Sequence, residues 1–145
     1  MKIVQNLKRV NNYLRQFQID GKHPLIVTSQ GDAVTKLAHL SGDQILIARP
    51  EMAADGDSDT IIGHITLAFF LLARLNGPAS TVQKEEETFD HLEDLADKVL
   101  DRLVSDITDG NCPLLCGLDL RSVDIVPESS LFGGWSGYSI EISLR

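Results

Sequence analysis

Between about Thr81 and Ile107, the residues Phe89, Leu92, Ala96, Val99, Leu103 and Ile107 recur at three- and four-residue intervals, and Leu95, Leu100 and Val104 widen the stripe. That spacing predicts one long amphipathic helix whose apolar face has to be buried against a second layer. Ser80 with Gln83 predicts a capping box at its start, and Glu85, Glu86 and Glu87 fall in the first turns, where the positive end of the helix dipole favours carboxylates. Gly110 predicts its end. A second stripe, Ile3, Leu7, Val10, Leu14 and Phe17, predicts an N-terminal helix over 1–17, stopped by "DGKHP" at 20–24.

The layer these helices need is supplied by strands. "PLIVTS" and "QILIARP" at 44–50 are short β-branched apolar runs and read as strands. Between them "GDAVTKLAHLSGD" fits one or two helical turns or a loop, and its residues do not choose. "TIIGHITLAFFLLARLNGP" at 60–78 is apolar enough for a buried helix or a buried strand. Leu71, Leu72, Ala73 and Leu75 favour helix. Ile61, Ile62, Ile65, Thr66, Phe69 and Phe70, with Gly63 inside and Gly77-Pro78 as a stop, favour the strand reading, which we prefer. In "GLDLRSVDIVP", Leu118 and Leu120 share one side and Val123 and Ile125 follow out of phase, predicting a bulge near Arg121-Ser122. Tyr138, Ile140, Ile142 and Leu144 alternate strictly with Ser139, Glu141, Ser143 and Arg145, as in a half-buried antiparallel strand. The expected fold is α+β: one domain over 1–145, with an antiparallel or mixed sheet of about four to five strands backed by the N-terminal helix and the long helix.

A chain of 145 residues buries roughly two thirds of its unfolded surface and needs no metal or disulfide to hold a core. Its net charge of −8 and thirteen scattered basic residues argue against direct, sequence-specific nucleic-acid binding and against anionic membranes. The longest apolar run, "ITLAFFLLA", is closed by Arg74 far short of the roughly 20 residues a spanning helix needs. The polar "MKIVQNLKRVNNYL" does not read as a secretory signal, so a cytoplasmic product is expected. Cys112 and Cys116 lack the second pair that a structural zinc site wants, and in a reducing compartment they read as two reduced, partly buried thiols.

Candidate chemistry is thin, and neither a catalytic residue, a cofactor nor a metal is expected. "DGDSD", Asp55–Asp59, resembles the start of a calcium loop but has Thr60 where a glycine belongs and Thr66 where a bidentate glutamate belongs; an exposed turn-forming loop explains it better. His23, His39, His64 and His91 form no HExxH. His91, Asp94 and Asp97 could share a metal from one helix face, but solvation is the plainer reading. No GxSxG, GxGxxG or GxxxxGK occurs. In "FGGWSG", glycines surround the only tryptophan. Trp135 then reads either as a core residue in a tight turn or as an interface anchor, and Tyr138 is named with it as an interface candidate.

The order of parts over 60–145 resembles the small tail-terminator, tail-completion and neck proteins of tailed bacteriophages and prophages. The likeness is carried by a strand "HITLAFFLLARL", a linker "NGPASTVQ", a helix "EEETFDHLEDLADKVLDRLVSDI", and closing strands "LDLRSVDIVP" and "GYSIEISLR" joined through "FGGWSG". It implies a non-enzymatic virion assembly protein that partners itself, often as a hexameric ring, and other tail or neck proteins, first in the bacterial cytoplasm and then in the virion. "QGDAVTKLAHLSGD" has no counterpart in that pattern, and no interface residue can be matched. The alternative is a small ligand-binding or enzymatic α+β domain with a cleft near His64, His91 and the Asp55–Asp59 loop.

Overall fold

The structure, a computed structural model, describes residues 2–56, 61–75, 82–108, 113–115 and 117–145. Helix α1 (Lys2–Gln16) leads to strand β1 (Leu25–Val27), helix α2 (Gln30–Leu37), the strands β2 (Gln44–Gly56) and β3 (Ile61–Arg74), and helix α3 (Val82–Thr108). A 3₁₀ turn (Pro113–Leu115) and the strands β4 (Leu120–Leu131) and β5 (Trp135–Leu144) complete the chain. The five strands form one mixed sheet in the order β1-β2-β3-β5-β4, parallel only between β1 and β2. The fold is α+β, as the two helical stripes and the alternating runs predict.

The segment 61–74 is a strand that from Ile65 onward lies centrally, between β2 and β5, and at Leu71, Leu72 and Ala73 its apolar run is buried on both faces. On one face, Ile47, Leu67, Phe69, Leu71, Ile140 and Ile142 are buried beneath α1 and α3. The two helices run antiparallel: the Tyr13 hydroxyl donates to Asp106 Oδ2 at 2.5 Å, and Lys98 Nζ lies 3.0 Å from Asp20 Oδ2. At 27 residues α3 is about 40 Å long, enough to run the length of the sheet. The predicted stripe Leu92, Ala96, Val99 and Leu103 is its buried face. Ser80, Gly110, Gly77-Pro78 and both cysteines lie outside the described residues.

The other face carries a smaller core of Val27, Ala33, Leu37, Leu46, Leu72 and Trp135, covered by α2. The stretch whose residues left helix and loop open is thus helical over Gln30–Leu37. Ser29 caps it by accepting from the Asp32 amide at 3.1 Å, and Asp32 in turn accepts from the Thr28 amide at 3.0 Å. The Thr28 bond, and after it Lys36, 3.0 Å away, hold the Asp32 carboxyl below its usual range.

Beside the register shift between Glu128 and Leu131 at the β4–β5 turn, two bulges shape the sheet. One falls between Leu120 and Ser122, as the slipped phase in "LDLRSVDIVP" predicts. The other falls between Ala48 and Glu51 and takes up Pro50, which cannot donate to a ladder. With the proline accommodated there, β2 runs on past "QILIARP" to Gly56, and Asp55 and Gly56, expected in a loop, are strand residues. Residues 57–59 of that expected loop are outside those described. Because β3 meets β5 only from Ile65 onward, Ala53–Gly56 and Ile61–His64 form a two-stranded ribbon with no third strand among the described residues.

Candidate functional site

The glycine-rich "FGGWSG" makes the tight connection between β4 and β5. Gly134 donates to the Leu131 carbonyl at 3.1 Å, and the two residues between them, Phe132 and Gly133, both have positive φ (48° and 86°), as the hairpin turn matched to strand twist requires. Trp135 follows at once and is 0% exposed. The Arg74 guanidinium sits 4.8 Å from its ring centroid and donates to the last carbonyl of α2, Leu37 O, at 3.4 Å. The indole N–H has no hydrogen-bond partner among the described residues. Trp135 therefore lies inside the protein and joins the turn to α2.

Tyr138, the other interface candidate, is half-buried on the opposite face, under α3. Its ring meets Phe89 edge-on at 5.6 Å and its hydroxyl donates to Glu93 Oε1 at 2.7 Å. Ionising the phenol would lose that bond and set a phenolate beside a carboxylate; with partial burial, this pushes the Tyr138 pKa up to about 12.

The open surface is next to Tyr138. Strand β4 is a sheet edge, and its outer side has no strand partner among the described residues. Val123, Ile125 and Val126 are 37%, 48% and 47% exposed along it. Val123 and Ile125 pair with the buried Ile142 and Ile140, so they belong to the face that the helices cover. Helix α3 stops short of them: Ile125 lies in an open groove with Ala96, Asp97, Leu100 and Tyr138. Val104, one turn on from Leu100, is 38% exposed and extends the same apolar row. Alternation reveals Val123 and Ile125 as strand residues in the sequence, but only the placement of α3 decides that they stay uncovered.

His64 and His91 do not converge. His64 is on the ribbon, its Nε2 3.2 Å from Asp55 Oδ2. His91 is on α3 and pairs with Asp43, just before β2. Since His64 faces Ala53 and Asp43 precedes the start of the same strand, the two histidines sit at opposite ends of β2, and among the described residues no single cleft near both of them is formed.

His91 instead borders a different cleft, of about 470 Å³, with Lys22, His23, Asp43, Asp94 and Lys98. A tight turn, Ile19–Lys22, with Asp20 and Gly21 at positive φ, brings His23 there; the Gln18 amide nitrogen lies 2.9 Å from His23 Nε2. Both signs of charge line this cleft, and among the described residues that line it there is no Ser, Thr or Cys for the His91–Asp43 pair to activate. Asp94 shares the cleft with His91, whereas Asp97 faces the β4 groove, so the three side chains that could have shared a metal from one helix face, a reading set below solvation, are divided between two surfaces. Among the described residues no group of three His, Cys, Asp or Glu is arranged to hold a metal ion. The cleft joins residues near 20, 43 and 91, a long-range arrangement with no local sequence signature.

No helix among the described residues is long and apolar enough to cross a membrane. Compared with known protein families, the chain matches none of them. No curated protein is significantly similar to it in sequence.

Proposed function

We propose that this chain is a non-enzymatic structural protein of a phage or prophage tail or neck, of the tail-terminator or tail-completion kind, acting by assembly into a ring. The observation that carries this reading is the β4 edge, where a strand whose outer side has no strand partner among the described residues presents Val123, Ile125 and Val126 to solvent. Free strand edges with exposed branched apolar residues pair with other chains unless something blocks them. At the other side of the sheet, β1 covers β2 only at Leu46, Ile47 and Ala48, so from Arg49 onward that edge too lacks a strand partner among the described residues. Two unlike edges on one subunit suit head-to-tail contacts, and such contacts close into rings when the rotation per subunit allows. The net charge of −8 suits a ring through which DNA passes without being gripped. In this reading the protein is made in the bacterial cytoplasm and ends in the virion.

The test is sedimentation velocity across a wide concentration range, with negative-stain microscopy of the largest species. Closed rings are the expected result, and genes for tail-tube, tape-measure or portal proteins beside its own are the expected context. A particle that stays monomeric at the highest attainable concentration overturns the reading.

A second reading, a small ligand-binding or enzymatic α+β domain, is favoured by one observation: the His91–Asp43 pair borders a cleft of about 470 Å³, within the usual range for small-molecule sites. It predicts a rise in melting temperature with a bound metabolite or metal, abolished by His91→Ala.

A further inference from the structure

Resting on the assembly reading, we propose that the occupant of the α3–β4 groove is helix α1 of a second copy of this chain. The flank formed by α3 and β4 is acidic around an apolar strip. Glu93, Asp97 and Asp101 are exposed there, beside Leu100, Val104, Val123 and Ile125. The two basic residues of α3 nearest to it in sequence have partners elsewhere: Lys98 turns to Asp20 on the α1 side, and Arg102 bonds Asp106. Asp97 and Asp101, one helical turn apart, repel each other and have no ion-pair partner among the described residues.

Helix α1 has the opposite character. Residues 2–16 contain Lys2, Lys8, Arg9 and Arg15 and no acid. Val10, Tyr13, Leu14 and Phe17 are buried, which leaves Val4, Lys8, Asn12 and Arg15 on the outward face. Lys8 has no ion-pair partner among the described residues, and Arg15 bonds only the amide oxygen of Asn12, at 3.0 Å. Val4 and the methylene stems of Lys8 and Arg15 supply apolar surface for Leu100 and Ile125 while their charged ends reach Asp97 and Asp101.

The positions of the two surfaces make this a contact between copies. Helix α1 lies over β2, toward the β1 end of the sheet, and the acidic flank lies at the β4 end, on the same covered face. Two copies set side by side in one orientation bring the α1 of one against the α3–β4 flank of the next. Within one chain the two surfaces cannot meet, so the contact is heterologous and leaves a free surface of each kind for further copies. The charge pairing fixes order and direction; the apolar strip supplies the buried area.

The experiment measures self-association of the full chain by sedimentation velocity for four variants whose changed residues are all exposed: Lys8→Glu with Arg15→Glu, Asp97→Lys with Asp101→Lys, the four changes combined, and Ile125→Glu. Circular dichroism against the wild type checks each fold. Each charge pair reversed alone is expected to weaken association about tenfold or more, the combined variant to recover it, and Ile125→Glu to abolish it. Salt at about 1 M, which screens charges beyond about 3 Å, is expected to weaken the wild type in the same direction. If the wild type associates but neither reversal, nor salt, nor Ile125→Glu changes it, this contact is wrong while the assembly reading stands. A wild type that never associates overturns both.

Discussion

Gly137 shows how closely the sheet and α3 are fitted at the level of one residue. It sits within β5, opposite Leu72 and Glu128, with φ at 157°. A Cβ built on it would stand 1.9 Å from the Leu71 carbonyl oxygen and 3.0 Å from Leu92 Cδ1. The first contact is with backbone and cannot be relieved by a rotamer change. Gly137→Ala is therefore expected to destabilise the fold by about 3 kcal/mol or more, seen as a lower urea midpoint. Its neighbour Tyr138 makes a prediction in pH. A phenol whose pKa is raised from 10.0 to about 12 on folding is held more tightly protonated in the native state. The resulting stabilisation is complete below pH 10 and disappears as pH climbs through 12. The wild type should lose more stability than Tyr138→Phe over that interval, measured by urea unfolding at pH 9 and pH 11. An equal loss would mean that the Glu93 bond does not hold in solution.

At the level of elements, α2 is the sharpest case. It has eight residues and buries only Ala33 and Leu37, so periodicity over so short a piece carries almost no signal. The signal present in the sequence is its cap: Ser29 and Asp32 stand three apart, the spacing at which a hydroxyl and a carboxylate close a helix start. Ser29→Ala is expected to cost roughly 1 kcal/mol and to lower the melting temperature, with Ser29→Asp restoring it. The long elements were legible for the opposite reason. Over α3 the stripe recurs through the whole of Val82–Thr108, and over β5 alternation persists to Leu144, because each has one face against a continuous core. The strand nature of β3 rests on β-branched and aromatic residues and Gly63, since a run that is apolar on both sides has no period to read, even though Thr66, Ala68 and Phe70 are only half-buried. What lay beyond reach was how elements sit beside one another. The exposed strip on β4 depends on where α3 ends its coverage, and the His91 cleft on a turn at Asp20-Gly21 meeting a helix some seventy positions later.

Across the molecule, cover is uneven. Two helices shield one face of the sheet, while the other has α2 over one end only, and beyond it Thr66, Ala68, Ser139 and Ser143 lie half-buried, small or polar side chains suited to contact with water. The β2–β3 ribbon reaches beyond both layers. An isolated pair of strands is marginally stable in water, so the ribbon adds little to the free energy of folding. Replacing residues 54–63 by Asn-Gly, which joins Ala53 to its partner His64 through a two-residue turn, is expected to leave the melting temperature within a few degrees of the wild type. A large fall would show that the arm is held by contacts elsewhere. The same independence has a consequence for how such a chain changes over time. Because neither core, among the described residues, includes a side chain of the arm, mutation there is expected to be nearly invisible to folding, and the arm can be rewritten to suit a new neighbour while the body that carries it stays the same.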